Sequence, residues 1–213
     1  AKIDKAVSEI KEEFGVQVLG VQFDVAQEDE IQNMVKQALD RFGRIDILVN
    51  NAGTNIRKIP QEYHVSEWDQ VLDVNLRSPF LCCRAVYPSM KSVSGGKIIN
   101  IGSMTSIFGG AKLAPYGSSK GGIVQLTRSL AVAWAQDNVQ VNAILPGWID
   151  TDLTRQACID IPDLNDRVLS RTPMGRWGVP MDLAGTAIFL ACGASDFLTG
   201  VALPVDGGYS IYL

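Results

Sequence analysis

Short apolar runs and helical stretches take turns along the whole chain, and that alternation narrows the fold more than anything else in it. Strand-like runs are expected at 16–23 (VQVLGVQF), 45–50 (IDILVN), 97–102 (KIINIG), 139–145 (VQVNAIL) and 201–205 (VALPV). Between them lie helical patterns. Residues 2–14 are polar and helical and end at Gly15, a natural C-terminal stop. Residues 27–42 carry Ile31, Val35, Ala38, Leu39 and Phe42 on one stripe. Further helices are expected from Ser66 and Asp69, as a capped start, to about 91, and from about Pro115 to about 136. Residues 152–172 form a helical or irregular excursion, and Pro180 suits a first helical turn. A strand and helix alternation of this kind specifies a parallel sheet covered on both faces, so the class is α/β, a doubly wound Rossmann-type sheet in three layers. IDILVN reads as a fully buried parallel strand.

Composition serves mainly to exclude. At 213 residues the simplest organisation is one domain over 1–213, and 46 % hydrophobic residues supply a core. A net charge of −4 offers no electrostatic reason to bind nucleic acid. There is no apolar leader and no span of membrane length, so a cytoplasmic protein is expected. Cys82, Cys83, Cys158 and Cys192 contain no CxxC pair and read as small buried hydrophobes in a reducing compartment. His64 is the only histidine and reads as a surface loop residue, which leaves little material for a metal site.

Chemistry collects near the middle. Tyr116 and Lys120 are four residues apart on a helix, so phenol and ammonium share a face. A neighbouring cation favours the phenolate and lowers a phenol's pKa from about 10. Ser103, thirteen residues earlier at a strand's C-terminal end, can hold the oxygen of an alcohol or carbonyl while Tyr116 moves the proton. A surface tyrosine and a solvated lysine would be the plain alternative for the pair alone. Ser106 and Ser118 are competing hydroxyls. Arg57, Lys112, Arg155 and Arg171 lie in loops that could flank a substrate, although solvated surface charge is the plainer reading of each.

The stretch KIINIGSMTSIFGGAKLAPYGSSKGG, 97–122, resembles the active-site segment of the short-chain dehydrogenase/reductase family. So do NNAG at 50–53, Asn75 within DVNL, PGWIDTDLT at 146–154 and DGG at 206–208, in the family's order and spacing. The resemblance implies a nicotinamide cofactor, NAD or NADP, and interconversion of alcohols and carbonyls. It implies Asn75, Ser103, Tyr116 and Lys120 as the catalytic set. Tyr116 would be the acid/base, and Lys120 would lower its pKa and hold the nicotinamide ribose. Asn75 would support a water that relays protons to the lysine. The same resemblance gives the cofactor Asp24 and Val25 at the adenine and Asn51, Ala52 and Gly53 beside the adenosine. It gives Pro146, Gly147, Ile149 and Thr151 to the nicotinamide end. From the residues alone, Asp24 would cap a loop, Asn51 could tie neighbouring strands, and Gly53 permits close backbone approach.

Within the family, NNAGTNIRK and TPMGRWGVPMDLAG are similar to sugar and sugar-acid dehydrogenases such as gluconate dehydrogenases. The alternatives are a 3-oxoacyl-thioester (acyl-carrier-protein) reductase and a non-catalytic nucleotide-binding member. Apolar residues on several faces of 66–91 and 115–136 point to a homotetramer, which the family commonly forms through these helices. No G-x-G-x-x-G or similar cluster precedes residue 50. The resemblance places Ala1 in the helix after the family's second strand. The expectation is therefore a portion of a longer protein, about 40 residues short of its first βαβ strands. In the order 3-2-1-4-5-6 the run 16–23 would be strand 3 and 45–50 strand 4, with a gap of roughly 10 Å between them unless they pair anew.

Overall fold

The computed structural model describes residues 2–212, apart from the side chain of Leu153. The expected place of Ala1 lies outside them. The chain runs α1 (Lys2–Phe14), α2 (Glu28–Phe42), β1 (Ile47–Asn50), α3 (Val65–Leu72), α4 (Ser78–Ser92), β2 (Gly96–Ile101) and α5 (Ala114–Trp134). Then follow β3 (Val139–Pro146), α6 (Asp152–Asp160), α7 (Leu164–Arg171), α8 (Pro180–Ala191) and β4 (Ala202–Val205). The four strands form one parallel sheet in the order β1-β2-β3-β4.

The pleat shows how the three layers hold together. Ile98, Val139 and Val141 turn to one face and pack with Val86 and Met90 of α4 and Leu130 of α5. Ile99 and Ile144 turn to the other face and meet Leu190 of α8. Successive strand residues point to opposite faces, so a sheet buried on both sides demands near-continuous apolar strands. In β3 every residue from Val139 to Leu145 is buried.

Three expectations need correction. The run 16–23 forms no strand. A strand exists only as part of a ladder, and no described residue pairs with this run. It lies against α1, and a Cβ on Gly20 would come within 2.5 Å of Ile3 Cγ2 and 2.8 Å of Val7 Cγ2. The new pairing that could have closed the gap does not form. IDILVN is not a fully buried strand either. β1 is the sheet's edge, and Ile47 and Val49, on the face away from α4, are 45 % and 49 % exposed.

The third correction concerns the helix expected from 66 to 91. It breaks at a π-helical turn, Asp73–Arg77, between α3 and α4. Pro79 explains the break. It has no N–H to give the carbonyl of Asn75, four residues back, and its ring would clash with that carbonyl in an α-helix. The turn widens instead, and the Ser78 N–H bonds to the carbonyl of Asp73, five residues back. The start also differs: His64 is the N-cap of α3, and its N–H donates to Glu67 Oε2 at 3.0 Å. Ser66 lies inside the first turn. Of the apolar residues on 66–91 and 115–136, Leu81, Val86, Ile123, Val124 and Leu130 are buried within the chain's own core. The cysteines also depart from expectation: Cys82 and Cys83 are buried, but Cys158 is only partly covered and Cys192 is exposed. Among the described residues no helix is long and apolar enough to cross a membrane.

Candidate active site

The C-terminal ends of β1, β2 and β3 carry the site, as open parallel sheets place ligands. Beyond β2, Ser103 caps a single 3-10 turn, its hydroxyl accepting from the Thr105 N–H at 3.2 Å. The competing hydroxyls separate clearly. Ser106 donates to the carbonyl of Lys120 at 2.8 Å and accepts from the Ser103 N–H at 3.2 Å. Ser118 is exposed on the far side of its helix turn. Ser103 is the one that lines the cleft with Tyr116.

Tyr116 and Lys120 rise from the first two turns of α5, which Pro115 starts. The Lys120 ammonium is 5.8 Å from the centre of the Tyr116 ring and donates to the Ile101 carbonyl at 2.7 Å. Lys120 is 5 % exposed. Burial lowers its pKa from 10.5 to about 8. Tyr116 behaves otherwise than expected. Burial pushes its phenol above the usual 10, and the pulls in the other direction come from the Ser103 hydroxyl and the Arg57 charge. Desolvation disfavours the charged form of both groups, and here it outweighs the neighbouring cation.

Asn75 sits on the π-helical turn, 1 % exposed. Its Oδ1 accepts from the Thr54 N–H at 2.8 Å, and its Nδ2 donates to the Thr54 carbonyl at 2.9 Å and to Ser119 Oγ at 3.1 Å. Ser119 in turn donates to the Tyr116 carbonyl at 2.7 Å. One amide therefore joins the loop after β1 to the helix of Tyr116 and Lys120. The sequence signal for Ser119 was its place inside YGSSK. A single Asn on a helix gave no hint of the widened turn.

The other candidates do not all share that cleft. Asn51, Ala52 and Gly53 are exposed beyond β1. The tie between strands is made by Asn50 rather than Asn51. Asn50 Nδ2 donates to Asn100 Oδ1 at 2.8 Å, and Asn100 donates to Thr127 Oγ1 at 2.9 Å. A Cβ on Gly53 would lie 3.6 Å from Asn75 Oδ1 and 3.8 Å from Lys120 Nζ. Pro146 and Gly147 line the cleft. Gly147 is needed for close approach, since a Cβ there would be 2.6 Å from Asp206 Cα. Ile149 is buried and bridges to Gly178, facing a neighbouring hollow. Thr151 caps α6 and its hydroxyl meets that of Thr154. Asp24 and Val25 lie in the turn before α2, where the Asp24 carboxylate accepts from the Ala26 N–H at 2.9 Å.

The cleft encloses about 500 Å³. Arg57, Lys112 and Arg171 line it, and so does Arg167, which the sequence did not single out. Arg155 does not, being paired with Asp150 at 2.7 Å. No Asp or Glu is among the lining residues. Asn55 Oδ1 and Thr105 Oγ1, on two residues of this wall, are buried with no hydrogen-bond partner among the described residues.

The chain matches, over residues 1–210, the family model described as enoyl-(acyl carrier protein) reductase. It is 43 % identical to 2-dehydro-3-deoxy-D-gluconate 5-dehydrogenase of Formosa agariphila, over 97 % of this chain and 78 % of that one. This chain belongs to the short-chain dehydrogenase/reductase family. It is 40 % identical to 5-keto-D-gluconate 5-reductase of Escherichia coli K12, over 97 % of this chain and 81 % of the relative. A crystal structure of a gluconate 5-dehydrogenase from Burkholderia cenocepacia, in complex with NADP and tartrate, superposes with a TM-score of 0.93 at 37 % identity. That likeness covers 98 % of this chain and 81 % of the other. The chain is accordingly an oxidoreductase of the alcohol and carbonyl type that works with NAD or NADP.

The residues present fit the nicotinamide-ribose end of such a cofactor. An ammonium has three donors, and Lys120 gives one to the Ile101 carbonyl. The others can serve ribose hydroxyls. Gly53 and Gly147 keep the surrounding backbone bare of side chains.

Proposed function

We propose that this protein interconverts a secondary hydroxyl of a sugar acid and the corresponding ketone, with Tyr116 as the general acid/base. One observation carries the substrate class. In a chain of net charge −4, the cleft beside Tyr116 is lined by Arg57, Lys112, Arg167 and Arg171 and by no carboxylate. Such a wall favours an anionic substrate, and the relatives named for gluconate derivatives support it.

Ser103 holds the substrate oxygen and Tyr116 takes its proton on oxidation or returns it on reduction. The bound nicotinamide supplies hydride chemistry at the same carbon. Lys120 holds the ribose and keeps a positive charge on the side of the phenol. The phenol's burial makes the phenolate costly, so the cations Arg57 and Lys120 matter most when the proton leaves. Asn75 positions both partners through Thr54 and Ser119. Asn51, Ala52, Gly53, Pro146, Gly147, Ile149 and Thr151 border the cofactor, with Asp24 and Val25 at its adenine end. We further read residues 1–213 as one cofactor-binding domain of a cytoplasmic homotetramer. The free thiols of all four cysteines support the compartment, and Phe80 and Val132, at 40 % and 83 % exposure on α4 and α5, support the assembly.

The test is a substrate panel of gluconates, keto-gluconates, aldoses, polyols and acetoacetyl thioesters, followed by nicotinamide absorbance. Highest kcat/KM on a sugar acid is expected. Preference for the thioester would overturn the reading in favour of an acyl-thioester reductase.

A further inference from the structure

We propose that Arg171 is the anchor for the substrate's carboxylate, and that it thereby selects which hydroxyl of the carbon chain reaches Tyr116. The inference deepens the sugar-acid reading above and rests on it. Arg171 is the last residue of α7. Its guanidinium lies 4.9 Å from the ring centre of Phe108 and 4.5 Å from that of Tyr209. The two rings are themselves 6.4 Å apart and nearly perpendicular. Three separate elements thus converge on one cation: the loop after Ser103, the end of α7 and the turn after β4.

The aromatic support is itself rigid. The Asp206 carboxylate accepts from the N–H of Gly208 at 3.0 Å and of Ser210 at 2.7 Å, and the Tyr209 N–H donates to the Asp206 carbonyl at 3.1 Å. Gly207 and Gly208 adopt φ of 63° and 89°, where glycine is favoured. The DGG turn therefore fixes Tyr209, and Tyr209 fixes one side of Arg171.

A guanidinium held by ring faces keeps its in-plane N–H fork free and loses little further freedom when a carboxylate docks. Arg171 has no carboxylate partner among the described residues, whereas the comparable arginines do. Arg167 reaches Asp163 at 3.7 Å, Arg155 reaches Asp150 at 2.7 Å, and Arg176 reaches Asp182 at 2.7 Å. Arg57 is also unpaired, but its charge acts on the Tyr116 phenol, so it belongs to the reacting end. Lys112 is an exposed point charge with no ring support among the described residues. Arg171 is the cation that is both prepositioned and unspent, and a fixed anchor at one end of a linear substrate sets the carbon presented at the other.

The experiment compares sugar acids with neutral compounds of the same chain length in the holoenzyme. D-gluconate is paired with D-glucitol, and 5-keto-D-gluconate with the matching neutral hexulose. In Arg171→Gln the KM for the acid should rise about 10–100-fold, the value of a charged hydrogen-bonded contact, with kcat and the neutral compounds little changed. Arg171→Lys keeps the charge without the fork and should recover part of the loss, and it serves should the glutamine variant fold poorly. Equal losses on acid and neutral compounds would mean a structural role and overturn the proposal. Unaltered acid selectivity in both variants would overturn the anchor while leaving the sugar-acid reading intact. A wild-type enzyme with no preference for acids would overturn both.

Discussion

Lys120 should make the protein more stable as pH rises from neutral to mildly alkaline, and Lys120→Met should abolish that gain. The group is 5 % exposed and its pKa falls from 10.5 to about 8 on folding. Each unit is worth about 1.4 kcal/mol, so burying the ammonium costs on the order of 3 kcal/mol when both states are protonated. The folded pKa is the lower one. Below about 8 both states hold the proton and the cost is complete. Between about 8 and 10.5 the unfolded chain holds a proton that the folded chain has released, so stability rises with pH. Integrated from pH 7 to 9.5, the wild type should gain about 2 kcal/mol relative to Lys120→Met. The variant is not simply more stable at pH 7, because it strands the Ile101 carbonyl, which now accepts from Lys120 at 2.7 Å. An unsatisfied buried acceptor costs about 1–3 kcal/mol, enough to offset the relieved charge. The pH dependence is therefore the clean observable. Urea unfolding of the cofactor-free proteins across this range measures it, and parallel curves for the two would refute the argument.

Tyr116→Phe should reduce turnover by about 10²–10⁴-fold while cofactor binding, read by fluorescence titration, stays nearly unchanged; near-normal turnover would sink the acid/base role. Gly147→Ala puts a Cβ 2.6 Å from Asp206 Cα, and thermal melts should show about 1–3 kcal/mol of destabilisation. Asn75→Ala should lower kcat more than it raises the cofactor Kd, because it unties Thr54 from Ser119; a change confined to Kd would place Asn75 outside the proton path. Light scattering should give four copies per particle, and a monomer at micromolar concentration would remove the assembly proposal.

Much of the fold was legible because the parallel sheet writes itself as apolar runs. β2, β3 and β4 fall within about one residue of where their runs predict. Gly15 ends α1 as expected, its N–H bonded to the Lys11 carbonyl at 3.0 Å. Two of the misses depend on a neighbour. The run 16–23 has the composition of a strand, but pairing is a property of two segments, and a single run cannot reveal whether its partner is present. The exposure of Ile47 and Val49 has the same origin. Local signals did exist for the π-helical turn, since Pro79 forbids an α-helical bond to the Asn75 carbonyl. A period count over 66–91 averages across such a break and misses it.

The site was legible as a set of residues and opaque as a balance of forces. Spacing alone put Tyr116 and Lys120 on one helical face, and the structure brings Ser103 to the same cleft. Spacing also suggested that the lysine lowers the phenol's pKa, because a sequence shows charge and does not show burial. In the folded chain Lys120 is nearly enclosed and Tyr116 half-buried, so desolvation moves the two pKa values apart, the phenol up from 10 and the ammonium down from 10.5 to about 8. Burial of this kind makes both charged forms costly until something supplies compensating contacts. On the proposed reading, ribose hydroxyls on Lys120 and a substrate oxygen between Ser103 and Tyr116 would be contacts of that kind. The proposed proton-transfer machinery would then be assembled by the ligands it acts on, with the strand ends of β1, β2 and β3 as the place where they meet.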